Sequence, residues 1–176
     1  VFLVYYLGDV VRTFAVGGFT VATADDAASL LFAVLTAAGA LTVLRAGSLS
    51  DRVGRKPIVY AAGALMVVTG VVFTLTASYA VALLAALVFG LGYGAYQSVD
   101  WALGTSVLPD RTAHARDMGI WHIAMVAPQV FMVANGFIVS NANAVSANSG
   151  YRIVFLIVIA FFALGTVFVS RVRSVR

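Results

Sequence analysis

Residues 47–57 read Gly47-Ser48-Leu49-Ser50-Asp51-Arg52-Val53-Gly54-Arg55-Lys56-Pro57, a short cationic stretch set between apolar runs at 28–46 and 57–77. Further apolar runs follow at 79–106, 118–140 and 152–170, and a shorter one, 1–10, stands at the front. A helix needs about 20 residues to cross about 30 Å of hydrocarbon at 1.5 Å per residue. The spacing therefore predicts five spans and the stub of a sixth, in one unit over 1–176. Alternating segments of about ten residues, the mark of a membrane barrel, are missing from the sequence. The expected fold is an all-α integral membrane bundle.

Composition points the same way. Apolar residues make up 62% of the chain and charged residues 10%, with mean hydropathy +1.01. A water-soluble domain carries about 25% charged residues, so this chain could not cover a surface facing water. The net charge is +4, yet the basic residues stand at the ends of apolar runs and do not line one face, which argues against a nucleic-acid partner. Cysteine is absent, excluding disulfides and thiolate metal sites. Glutamate is absent as well. The chain opens at Val1 inside an apolar run with no basic segment before it, so no cleavable signal is read there. It reads as the tail of a longer protein.

Orientation follows from Lys and Arg. In the alternating layout Arg45, Arg52, Arg55, Lys56, Arg111, Arg116, Arg171, Arg173 and Arg176 fall on one side, and Arg12 and Arg152 on the other. By the positive-inside rule the larger group faces the cytoplasm, as does the C-terminus. On the outer side Asp25 and Asp26 precede the first full span, and Asn141 to Gly150 reads as a plain connector.

Within the cationic stretch Gly47 and Gly54 suit crowded or left-handed backbone, and Pro57 suits a first helical turn. Ser50 and Asp51 suit the N-cap of the following helix, with Asp51 also placed to pair with Arg52 or Arg55. The competing reading is a basic loop that only fixes topology against anionic lipid. The order Gly-x-x-Ser-Asp-Arg-x-Gly-Arg-Lys carries more information than charge.

In the run 79–106, Gly90, Gly94 and Ser98 form a small-residue stripe that admits a neighbouring helix closely. Tyr93, Gln97, Asp100 and Gly104 follow at three- and four-residue steps and share a polar face beside it. An acid at the bilayer centre costs about 2.5–3.5 kcal/mol on insertion scales, so Asp100 requires water, a partner or a proton. Three readings stay open: it pairs with Arg111, Arg116 or the basic stretch at the cytoplasmic interface, it handles a proton or solute directly, or it serves helix capping or folding. In the run 118–140, His122, Met125, Gln129 and Met132 recur at helical steps, and Pro128 is positioned to kink the helix and free a carbonyl. Gln129 is the first candidate for hydrogen bonding a polar solute, with Tyr93, Tyr96, Gln97, Trp101 and Asn135 behind it. Interhelical packing is the alternative for each. Metalloprotease, nucleophile-elbow, phosphate-loop and dinucleotide motifs are missing from the sequence. No catalysis, cofactor or metal is expected.

The stretch 47–57 resembles the signature loop of the major facilitator superfamily. The resemblance continues through Tyr5-Tyr6-Leu7-x-Asp9-Val10, then Gly90-x-Gly92-x-Gly94 with Tyr96-Gln97-Ser98-Val99-Asp100, then Leu108-Pro109, Asp117-Met118-Gly119, Pro128-Gln129 and Gly150-Tyr151-Arg152. In that order these are similar to the C-terminal half of the glycoside and sucrose cation symporter branch. The resemblance implies a bundle running from the end of helix seven to helix twelve, and a missing N-terminal half of the same protein. It also implies a cytoplasmic gate of Asp51, Arg52, Gly54, Arg55 and Lys56, and a small polar solute, a sugar or glycoside, driven by a proton or other cation across the plasma membrane. A drug-type exporter of the same superfamily and a non-transporting membrane scaffold or sensor are the alternatives.

Overall fold

A computed structural model describes residues 2–106 and 114–171. Arg111, Arg173, Arg176, Leu108 and Pro109 lie outside the described residues. The chain is helical nearly throughout, and among the described residues four helices are long and apolar enough to cross a membrane. The order is α1 (Phe2–Tyr6), which widens into a π-turn over Leu7–Val11, then β1 (Ala15–Val16), β2 (Phe19–Thr20), α2 (Ala24–Val53), α3 (Arg55–Leu75), α4 (Tyr79–Ser106), α5 (His114–Val145) and α6 (Ser149–Val169).

The hairpin β1–β2 was not foreseen. Ala15 pairs with Thr20 and Val16 with Phe19 in antiparallel register. The turn is Gly17-Gly18, both at positive φ, as a two-residue hairpin loop requires.

α2 starts at Thr23, whose hydroxyl accepts from the Asp26 backbone N–H at 3.1 Å and donates to the Asp26 carboxylate at 2.7 Å. Asp25 and Asp26 thus lie inside the first turn, where they oppose the helix dipole. The helix runs for 30 residues, about 45 Å, and continues through the polar residues that follow its apolar run. Ser50 and Asp51 consequently do not cap the next helix. They sit in the last turn of α2, where the Ser50 hydroxyl donates to the Gly47 carbonyl at 2.7 Å. No residue before Gly54 opposes helix propagation. Gly54 stops it with φ 95° and ψ 159°, a conformation essentially restricted to glycine, and its N–H still donates to Ser50 O at 2.9 Å. The joint between α2 and α3 is therefore one residue long. Pro57 is the third residue of α3, where its missing N–H is one of the donors that lack an intrahelical acceptor anyway.

α4 is wedged between α2 and α3. Its small residues serve two opposite faces, since positions two apart on a helix differ by about 200°. A Cβ on Gly94 would lie 2.3 Å from the Gly39 carbonyl oxygen of α2, and one on Gly92 would lie 3.0 Å from the Ala62 carbonyl of α3. Without a strong hydrophobic drive between helices in lipid, such backbone approach is what holds them together. α6 lies against α3 and α5. α5 continues as helix through Pro128. Asn141–Val145 belongs to α5, not to a loose connector. The Asn143 side chain accepts from the Gly150 N–H at 2.9 Å, and the Ser149 hydroxyl donates to the Ala142 carbonyl at 2.7 Å, so the turn into α6 is closed by its own polar residues.

The bundle has two unlike ends. Arg45, Arg52, Arg55, Lys56, Arg116 and Arg171 stand at one, the basic end. At the other, three tyrosines are almost wholly buried: Tyr6, Tyr79 and Tyr151 are 1%, 2% and 3% exposed. The Tyr6 hydroxyl is bonded to the Phe73 and Thr76 carbonyls at 3.0 and 2.7 Å, and the Tyr79 hydroxyl donates to Ala27 O at 2.8 Å. The Tyr151 hydroxyl donates to the Asp9 carboxylate.

Candidate functional site at the basic end

The basic end is assembled from the Gly54 joint and the last turns of α4. Asp51 and Arg52, in the last turn of α2, are exposed, while Arg55 and Lys56, opening α3, are half-buried. Beneath them lies a small apolar cluster of Ala46, Ile58, Val59 and Val99, with Ala95, Tyr96 and Val169 packed against it. A Cβ on Gly47 would lie 4.0 Å from Ser98 Cβ, and the Ser98 hydroxyl donates back to Ala95 O at 2.7 Å. α4 therefore reaches the joint through small residues, so its polar face arrives at the same level as the charged turn.

On that face Tyr96, Gln97 and Asp100 are half-buried. Tyr96 and Asp100 stand four residues apart on this helix, one turn from each other. Trp101 follows on the same helix. Tyr93 lies further from the joint, partly exposed and stacked on Phe89 with ring centroids 6.0 Å apart, and Phe89 meets Phe162 of α6 edge-on. Gln129 and His122 are exposed on α5 and Asn135 is half-buried there. α5 packs on α6.

A cavity of about 160 Å³ lies deeper in the bundle, bounded by Leu3, Leu35, Met66, Phe89, Phe155 and Phe162 among others. Its walls are apolar and none of the candidate residues lines it. The polar groups and this cavity are thus separate features. Among the described residues no group of three or more His, Cys, Asp and Glu side chains is placed to hold a metal ion.

Long apolar helices joined by tight turns, with charge gathered at one end, define a multi-pass membrane protein. The chain matches the family model of the Major Facilitator Superfamily over residues 1–176 and belongs to that superfamily of membrane transporters. No curated protein and no solved structure matches it.

Reasoning from sequence alone did not pair Asp9 with Tyr151. The two are 142 residues apart, and no local spacing can signal such a partnership.

Proposed function

We propose that this chain is the C-terminal half of a secondary transporter of the glycoside and sucrose cation symporter branch. It moves a small polar solute, a sugar or glycoside, by alternating access coupled to a proton or other cation, in partnership with an N-terminal half. The basic end faces the cytoplasm of a plasma-membrane protein, with the C-terminus on the same side.

The observation that carries this reading is the one-residue joint at Gly54, with Asp51 and Arg52 exposed on it and Arg55 and Lys56 beside them. Asp51 and Arg52 are exposed, so a facing surface can reach them, as a gate requires. Contacts made in one state and lost in the other supply the differential free energy that shifts a conformational equilibrium. Tyr96, Gln97, Asp100 and Trp101 stand next to that turn, and Tyr93 and Gln129 are the candidates further along the bundle. Tyr93, Tyr96 and Trp101 are aromatic and suit a sugar ring, and Asp100 offers a carboxylate for a coupling cation or proton.

The full-length protein in proteoliposomes provides the test. Uptake of radiolabelled glycosides under an imposed proton or sodium gradient is expected, together with loss of uptake when the gradient is collapsed. Efflux of apolar cations without any glycoside uptake would replace this reading with that of a drug-type exporter.

A further inference from the structure

We infer that the apolar cavity inside the bundle is a binding site for hydrocarbon, and that its occupant is the end of a lipid acyl chain from the surrounding bilayer. This inference does not depend on the solute or the coupling ion proposed above.

The chemistry of the wall excludes water and polar solutes. Among the described residues Thr69 is the one polar side chain lining the cavity, and its hydroxyl is already directed to the Leu65 and Ala85 carbonyls at 3.0 and 3.4 Å. A bound water needs several polar partners, and none is left here. The volume is about 160 Å³. A cavity of about 150 Å³ lined by Leu, Ile and Phe stays dry and takes benzene, so a comparable piece of hydrocarbon fits this one.

The helices cannot close the space by moving together. α2 and α4 already meet at their backbones, since a Cβ on Gly90 would lie 2.3 Å from Leu35 O, and α3 meets α6 at Gly70, where a Cβ would lie 2.6 Å from Ile159 Cγ1. The rings in the wall are pinned too. Phe73 is stacked on Phe155 with centroids 5.5 Å apart, Phe155 meets Tyr6 edge-on at 5.0 Å, and Phe89 meets Phe162 at 6.0 Å. A space that cannot relax leaves its lining without partner atoms on one side, and hydrocarbon restores those contacts.

Depth and access identify the source of the hydrocarbon. Along α2 the exposed charges Asp26 and Arg45 bound a stretch without charge, and Leu35 in the cavity wall stands midway between them, about 14 Å along the helix from Asp26. The cavity is therefore near the middle of a hydrocarbon layer about 30 Å thick, where the acyl chains of both leaflets end. Its inner wall is closed, with Leu31, Met66, Thr69 and Ala86 buried, while Phe32 on the rim is 53% exposed. The mouth thus lies beside Phe32, at a level where the solvent is lipid tail.

Photolabelling of the full-length protein tests this, in phosphatidylcholine vesicles whose lipid carries a diazirine at the end of one acyl chain. Adducts are expected at Leu35, Met66 and Phe89 in the cavity, in addition to those at Phe161 and Leu164, which are exposed on α6. Ala86→Val and Ala86→Leu fill the wall from α4, and the larger of them is expected to lower the cavity adducts about tenfold with no change at Phe161 and Leu164. Benzene added to the parent protein needs no substitution, and is expected to lower the cavity adducts by a similar factor, about tenfold, by competition. Adducts confined to Phe161 and Leu164, as when another part of the protein closes the mouth, overturn the proposal. Cavity adducts that benzene leaves unchanged overturn it too, whatever the Ala86 variants do.

Discussion

The two ends of the bundle are made from the same apolar helices and are held in different ways. At the tyrosine end, large aromatic side chains fill the space between α1, α2, α4 and α6, and the hydroxyls of Tyr6 and Tyr79 are spent on backbone carbonyls of neighbouring helices. At the basic end the packing is small, with Ala46, Ile58, Val59 and Val99 at its centre, and Asp51 and Arg52 keep their charged groups exposed. Polar groups satisfied inside the chain fix one end, and charged groups left at the surface are available to something outside it at the other. The difference teaches that internally bonded and surface-exposed polar groups are segregated along the bundle axis, with the Gly39–Gly94 crossing of α2 and α4 between the two zones.

Substitutions can break this comparison, and their effects should fall in a definite order. Tyr6→Ala removes a buried ring and the donor to two carbonyls, and is expected to cost about 4 kcal/mol in unfolding free energy. Equilibrium unfolding in mixed detergent micelles would measure it. A loss below about 1 kcal/mol would deny the tyrosine end its structural role. Gly94→Ala forces a methyl group against the α2 backbone and is expected to cost about 2 kcal/mol in the same assay, the helices separating to admit it. Tyr79→Phe keeps the packing and loses one hydrogen bond, for about 1 kcal/mol. Asp51→Asn completes the series with an unfolding free energy within about 0.5 kcal/mol of the parent. It should nevertheless slow solute flux about tenfold, the kinetic equivalent of one lost charge-assisted contact. A large stability loss with Asp51→Asn, or unchanged flux, would erase the distinction between the ends.

Much of the architecture is legible in the residues. The apolar runs announce membrane helices, and the Gly90, Gly94 and Ser98 stripe announces a close helix neighbour, though not that the neighbour is Gly39. Other features escaped for physical reasons. Hydropathy registers the part of a helix that contacts hydrocarbon, so the run 28–46 did not reveal that α2 spans Ala24–Val53. The polar end of that helix carries Ser50 and Asp51, which read as caps because their preferences are local, whereas the helix persists until Gly54 ends it. The hairpin at Ala15–Thr20 has strands of two residues, too short for any periodic signal. For the candidate site, helical spacing on α4 placed Tyr93, Gln97, Asp100 and Gly104 on one face, and the approach of that helix to the charged stretch needed the packing of α4 against α2.

The central claim is that the charged turn is an inner gate, and its sidedness tests that claim most directly. Single cysteines at Arg52, at the basic end, and at Phe19, on the exposed hairpin of the opposite end, can be labelled in intact cells with a membrane-impermeant maleimide. The account predicts that Phe19→Cys reacts at once and that Arg52→Cys reacts only after the membrane is permeabilised. Immediate labelling of Arg52→Cys with protection of Phe19→Cys would contradict it.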